Sequence, residues 1–266
     1  MRLKEKKALV TASSSGIGQA IARTLAEEGA DVFLSGIEKD LLPQTAEAIA
    51  RATGRSVAFA LADFTSPASI DALAEQALQT FGRIDILVYN TGGPRPGTFL
   101  ELSEADWEKA YRLVLDAAIR LTRRVLPGMI ERRFGRLIYM TSSSVIRPLP
   151  ELHLSNVMRA GVKALAESLA VEMAPHGITT HVVAPAHIDT ARSRAIAEAR
   201  AKARGLSVEA VLEHDLRGIP AGRFGRPEDV ARLVAFLASE ESAFMTGGTH
   251  VVDGGFTLVT PLHLLG

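Results

Sequence analysis

"VTASSSGIGQAIARTLAEEGADVFLSG", residues 10–36, decides the fold. An apolar run leads through a turn rich in serine and glycine into a stretch of helical period, and a second apolar run follows. Gly16 and Gly18 let the chain turn sharply and let the helix that begins near Ile17 pack close to the preceding strand. The first amides of that helix, and its dipole, then point into the turn, an arrangement that suits a phosphate. A serine-rich turn also serves as a plain strand-to-helix connection, so the rest of the chain has to decide.

Further apolar runs recur at regular intervals. "KALVTA", "ADVFLSG", "SVAFALAD", "IDILVYN", "GRLIYMT", "ITTHVVAP" and "THVVDGG" read as strands, with helical segments between them. Two of these helices, Ile17 to Glu28 and Ser155 to Ala174, are each closed by a glycine, Gly29 and Gly177. Such alternation predicts an α/β fold, a single doubly wound (Rossmann-type) domain over residues 1–266 with a central, mainly parallel seven-stranded sheet. No Pro/Gly/Ser linker divides the chain. One stretch breaks the rhythm, the charged, alanine-rich segment 191–217, which reads either as a solvated helix pair or as a lid. Ligands of doubly wound sheets bind beyond the carboxyl ends of the strands, and that position favours the lid.

Composition narrows the function. The 266 residues are 47% hydrophobic, enough for a sizeable core, and Lys plus Arg equals Asp plus Glu at 30 each. No global field draws the protein to nucleic acid or to a membrane surface, so a small-molecule substrate is expected. The absence of cysteine excludes disulfides, a thiolate nucleophile and thiolate-bound zinc, and no metal site is expected. "MRLKEKKALV" is too short in apolar residues for a signal peptide, and no stretch of about 18 apolar residues follows. The chain reads as soluble, with the cytoplasm its expected location.

Five motifs, in order, resemble those of the short-chain dehydrogenase/reductases. Thr11 to Gly18 is similar to the family's Thr-Gly-x-x-x-Gly-x-Gly turn, with Ala12 replacing the first glycine. "ALADFTSPASI" looks like the segment whose Asp63, followed by Phe64, meets the adenine. "YNTGG" is similar to Asn-Asn-Ala-Gly, keeping Asn90 and Gly92. "VVAPAHIDT" resembles the Pro-Gly motif beside the nicotinamide, keeping Pro185 and Thr190, with Ile188 between them. "GRFGRPEDVARLVAFLAS" and "TGGTHVVDGG" look like the family's C-terminal signature. The resemblance implies a nicotinamide dinucleotide cradled by Thr11, Ser13, Ser14, Gly16, Ile17 and Gly18. Alanine at position 12 is tolerated unless that position needs a positive φ. At the end of the second strand an acid selects NAD and a nearby cation NADP. Gly36 stands where the acid would be, so NADP is favoured, with Ser35 and Lys39 as phosphate partners, and NAD stays open.

The resemblance weakens at the catalytic centre. The family uses Asn, Ser, Tyr and Lys, and counting from "GRLIYMTSSS" puts its serine at Ser142. Its tyrosine and lysine fall on Ser155 and Arg159, and its asparagine on Val114, counted from Trp107. Only the serine survives. Lysine in the family helps bring a phenol of pKa about 10 towards 7, roughly 4 kcal/mol, and an aliphatic hydroxyl cannot match that. Arg159 keeps the positive charge for the nicotinamide ribose. Candidates to replace the missing phenol are Glu151 and His153 before the helix, Tyr139 on the fifth strand and His187 after Pro185, each with an ordinary structural reading as well. Arg95, Arg147 and His187 stand in loops beyond strand ends and suit an anionic substrate.

These readings predict an oxidoreductase interconverting a carbonyl and a secondary alcohol, of a type like the 3-oxoacyl-carrier-protein reductases. Two alternatives are a redox-inactive nucleotide-binding protein and a non-redox enzyme using the same pocket. By resemblance a homodimer or homotetramer is expected, with the tail "FTLVTPLHLLG" covering a neighbouring subunit.

Overall fold

A computed structural model describes residues 1–259. All seven expected strands form: β1 (Lys7–Val10), β2 (Asp31–Gly36), β3 (Val57–Leu61), β4 (Ile86–Tyr89), β5 (Gly135–Met140), β6 (Ile178–Pro185) and β7 (Thr249–Val252). They pair in parallel in the order β3-β2-β1-β4-β5-β6-β7. The order reverses between β1 and β4, and the crevice of a doubly wound sheet opens at that switch point.

Helices cover both faces. Against one lie α1 (Gly16–Glu27), α2 (Leu41–Thr53) and α9 (Pro227–Leu237); against the other lie α3 (Pro67–Phe81), α5 (Ala117–Arg132) and α6 (His153–Met173). Alternate strand residues feed the two cores: Val10, Val88, Ile138 and Val183 face α1 and α9, while Leu9, Leu87, Leu137 and Val182 face α5 and α6. With both faces covered, strands β2 and β5 are buried from end to end.

Short α4 (Glu104–Ala110) runs into a π-helical turn at Tyr111–Asp116 before α5 begins. Segment 191–217 folds as two helices, α7 (Ala191–Arg204) and α8 (Val208–Arg217), joined through the left-handed Gly205. The pair has its own small core of Ala197, Ala201 and Val211, and a bidentate Arg200–Asp215 ion pair fastens it at 2.6 and 3.0 Å. Among the described residues no helix is long and apolar enough to cross a membrane, and no group of three or more side chains could hold a metal ion. Most of the tail assigned to a neighbouring subunit, residues 260–266, lies outside the described residues.

Candidate active site

Turns after β1 and β4 build the floor of the crevice. Thr11 is fully buried, and its Oγ1 donates to the carbonyl of Asn90 at 2.5 Å while accepting from the Asn90 amide at 2.8 Å. Asn90 Nδ2 returns a bond to the Ala12 carbonyl at 3.0 Å. These bonds staple the turns on either side of the switch point. Ala12 does take a positive φ, 44°, a conformation that costs a non-glycine residue about 1 kcal/mol, and the staple holds it there. Gly18 is required for another reason: a β-carbon would lie 2.1 Å from the Ala12 carbonyl oxygen.

A strip of bare backbone runs along this floor, covered only by side-chain ends. A β-carbon on Gly16 would meet the Thr190 methyl at 3.5 Å, one on Gly36 the Glu38 Oε2 at 2.9 Å, and one on Gly92 or Gly93 the Arg192 guanidinium at 3.2 and 2.8 Å. Close backbone approach at four glycines, beside the start of α1, fits an elongated ligand carrying phosphates.

Several expected cofactor contacts change on inspection. Ser35 is fully buried, so its hydroxyl is closed off from the crevice and cannot meet a 2′-phosphate; its amide binds Ser13 Oγ at 3.2 Å. Ser13 is equally buried and spends its hydroxyl on the Val10 carbonyl, bracing the turn from inside. The Phe64 side chain belongs to the core, 6.3 Å from the Tyr89 ring. Asp63 is exposed and caps the next turn through Thr65, whose hydrogen bonds hold its carboxyl below the usual range. Lys39 is exposed beside the crevice. Ser14 donates to Glu38 Oε2 at 2.7 Å, and the Ile37 amide reaches the same oxygen at 3.1 Å. A carboxylate therefore lies over Gly36 after all, supplied from two residues further on. Ile17 packs against the core and Ile188 is buried beside Gly225. The bond from the Asp189 amide to Gly225 O, at 2.8 Å, anchors the chain that leaves Pro185, and Thr190 caps α7 through Ser193.

Ser142 lies two residues past β5 and caps the short turn there, accepting from the Ser144 amide at 3.3 Å. One turn apart on α6, Arg159 Nε donates to Ser155 Oγ at 3.1 Å. Arg159 Nη1 also donates to the carbonyls of Met140 and Thr141, at 3.1 and 3.2 Å, so the arginine ties Ser155 to the end of β5, one residue before Ser142. Burial lowers its pKa to about 10; the nearby Tyr89 opposes the shift and the Arg192 cation adds to it. Among the described residues Nη2 has no hydrogen-bond partner, and Arg159 forms no ion pair.

Val114 is buried in the π-helical turn. The Tyr89 hydroxyl reaches into the turn, donating to the Leu113 carbonyl at 2.8 Å and to that of Val114 at 3.0 Å. Burial raises the Tyr89 pKa well above its ordinary value, as it does for Tyr139, whose hydroxyl pairs with Thr122 on α5 at 2.7 Å. Neither phenol is placed to donate a proton in the crevice. His153 Nδ1 is 3.3 Å from the Gly97 carbonyl, and Glu151 is exposed with φ 58°.

Two of the three expected substrate groups come together. His187, with φ 49°, stands edge-on to Phe256 at 4.5 Å, and Arg147 lies over the same ring at 5.1 Å while donating to the Val259 carbonyl at 2.8 Å. Burial lowers the His187 pKa. Arg95 is held elsewhere, bidentate on Asp106 at 2.8 and 2.9 Å. Sequence reasoning did not assign roles to Glu38, Tyr89 or Arg192. The signal for the first was its place two residues past Gly36, and for the second a tyrosine where the family has asparagine.

Known proteins resemble this chain in sequence and fold. The model of a family described as Enoyl-(Acyl carrier protein) reductase matches residues 11–257. The chain is 36% identical to the 3-oxoacyl-[acyl-carrier-protein] reductase FabG of Escherichia coli (strain K12) over 261 residues, 97% of this chain and all of that one. It is 36% identical to the oxidoreductase UcpA of the same organism over 259 residues, 97% and 96% of the two chains. Among solved structures it superposes on L-sorbose reductase from Gluconobacter frateurii, complexed with NADPH and L-sorbose, with a TM-score of 0.93 and 32% identity over 98% of this chain and 100% of that one.

Proposed function

The chain belongs to the short-chain dehydrogenase/reductase family, and we propose that it is an NADP(H)-dependent oxidoreductase interconverting a carbonyl and a secondary alcohol, of the 3-oxoacyl type. One observation carries the proposal: Arg159 links Ser155 to the strand end that precedes Ser142, beside the strip of bare backbone at residues 16, 36, 92 and 93. Gly16, Gly92 and Thr190 would hold the dinucleotide, with Lys39 at the 2′-phosphate and Pro185 and Ile188 beside the nicotinamide. When bound, the nicotinamide supplies or accepts the hydride.

The chain's own groups do the rest. Ser142 hydrogen-bonds the substrate oxygen as charge develops on it. Because Ser155 Oγ accepts from Arg159, its own proton is available to that oxygen or to a water standing where the family has a phenol. The buried guanidinium polarises this hydroxyl and meets the ribose through Nη2. His187 and Arg147 border the substrate side, with 191–217 as the lid. Gly36 and the NADPH complexes of relatives, the sorbose reductase and an actinorhodin polyketide ketoreductase (TM-score 0.91, 30% identity, covering 96% of this chain and 98% of that one), support NADP; the Glu38 carboxylate then swings off Gly36. Exposed Val157 and Val171 on α6 support a homo-oligomer, which light scattering tests.

The test is fluorescence binding of NADPH and NADH followed by a carbonyl screen, on the natural chain and on the double variant Ser155→Tyr, Arg159→Lys. Reduction that rises in the double variant supports the reading. Tight NADPH binding with no turnover in either protein overturns it in favour of a nucleotide-binding protein.

A further inference from the structure

Arg192 stands on the first turn of α7 and is the lid's only described contact with Gly93: Nη2 donates to that carbonyl at 3.2 Å. Its guanidinium lies against the backbone of Gly92 and Gly93, while Thr190, two residues earlier, rests its methyl on Gly16. Residues 190 and 192 thus bridge the crevice, one on the turn after β1 and one on the turn after β4. Any chain of phosphates lying along the glycine strip runs beneath this bridge.

The charge around Arg192 is uncompensated. Among the described residues it makes no ion pair, and its one hydrogen bond goes to a neutral carbonyl. Asp189, the acid nearest in sequence, is engaged: it holds Arg194 bidentately at 2.8 and 2.9 Å, and Asp215 of α8 holds Arg200. Arg159, the other cation of the site, also lacks an acid, and Arg192 contributes to lowering its pKa. Among the described residues neither guanidinium has a counter-charge, and Arg192 lies against the bare backbone of Gly92 and Gly93, a site that an anion completes. A phosphate accepts from a guanidinium in a charge-assisted, bidentate way that a single carbonyl cannot equal.

Building on the dinucleotide reading above, we propose that Arg192 captures the diphosphate of the cofactor, exchanging the Gly93 carbonyl for phosphate oxygens and so tying closure of the lid to the cofactor rather than to the substrate. The guanidinium lies on Gly92, at the floor of the dinucleotide strip, whereas the groups that suit a substrate anion, Arg147 and His187, gather around Phe256. An anion on the substrate is the competing occupant, and the experiment separates the two.

Binding is measured by calorimetry for the natural chain, Arg192→Met and Arg192→Lys, with NADP+, ADP-ribose and adenosine 2′-monophosphate. None of these measurements needs turnover. Arg192→Met should weaken NADP+ and ADP-ribose about 10- to 100-fold, flatten their salt dependence and leave adenosine 2′-monophosphate unchanged, while Arg192→Lys falls between. Arg192 is exposed at the surface, so both variants should melt like the natural chain. Equal affinity of the natural chain and Arg192→Met for ADP-ribose overturns the assignment. If KM for a carboxylate-bearing carbonyl then rises while KM for a neutral one does not, the arginine serves the substrate. Failure of the natural chain to bind either dinucleotide fragment or NADP+ overturns the dinucleotide reading itself, and this proposal with it.

Discussion

Arg159 Nε donates to Ser155 Oγ over 3.1 Å, an i, i+4 contact on one face of α6. The contact fixes the serine as an acceptor from one side and leaves its proton for the other. Since an aliphatic hydroxyl is a poor acid, Ser155→Ala should leave nucleotide affinity nearly unchanged and lower kcat less than tenfold. Ser142→Ala should cost on the order of a hundredfold in kcat if, as proposed, that hydroxyl meets the developing oxyanion. Steady-state kinetics on both variants checks the ranking, and the reverse order would refute it.

Glu38 Oε2 rests on Gly36 and is held by Ser14 and the Ile37 amide. A 2′-phosphate arriving beside it meets a like charge, whereas a 2′-hydroxyl finds an acceptor. Glu38→Gln should therefore tighten NADPH by about tenfold, roughly 1.4 kcal/mol, and leave NADH the same or weaker. A change of equal size and sign for both nucleotides would show that Glu38 does not discriminate between them.

The Tyr89 hydroxyl serves two carbonyls inside the π-helical turn, in full burial. Tyr89→Phe removes both bonds and leaves the Leu113 carbonyl only the longer side-chain bond from Thr91 at 3.4 Å, so unfolding by urea should show a loss of about 1 to 3 kcal/mol. A variant as stable as the natural chain would mean that the turn re-forms as ordinary helix.

His181 is fully buried on β6, its Nδ1 3.2 Å from His250 Nε2, and burial, His250 and Arg136 lower its pKa to about 4. The unfolded chain takes up this proton near pH 6.5, while the folded one refuses it until about pH 4. The resulting stability is present above pH 6.5 and falls as the pH drops through that window, by on the order of 3 kcal/mol. His181→Gln should flatten urea midpoints between pH 6.5 and 4. An unchanged slope would assign the acid sensitivity to other groups.

The strands were legible because every buried run is bracketed by turn residues, and the order of motifs placed them in the sheet. Ser35 was not: β2 is buried on both faces, so no alternation in "DVFLSG" marks which way its serine points. Glu38 and Arg192 were hidden for a related reason. Each acts two residues beyond a recognisable position, by folding back onto a glycine, and spacing along the chain does not report where a long side chain comes to rest. The positive φ of Ala12 could be posed from the sequence only as a condition, since the staple that imposes it runs through Asn90, 78 residues away.

That staple has a consequence for how the site can change. Thr11, Ala12 and Asn90 clamp the two halves of the sheet at the point where they would otherwise part, so the crevice cannot widen by splaying its strands. The α7–α8 pair, by contrast, keeps a separate little core of its own. Changes within residues 191–217 then leave this foundation untouched, because the pair packs on its own core of Ala197, Ala201 and Val211.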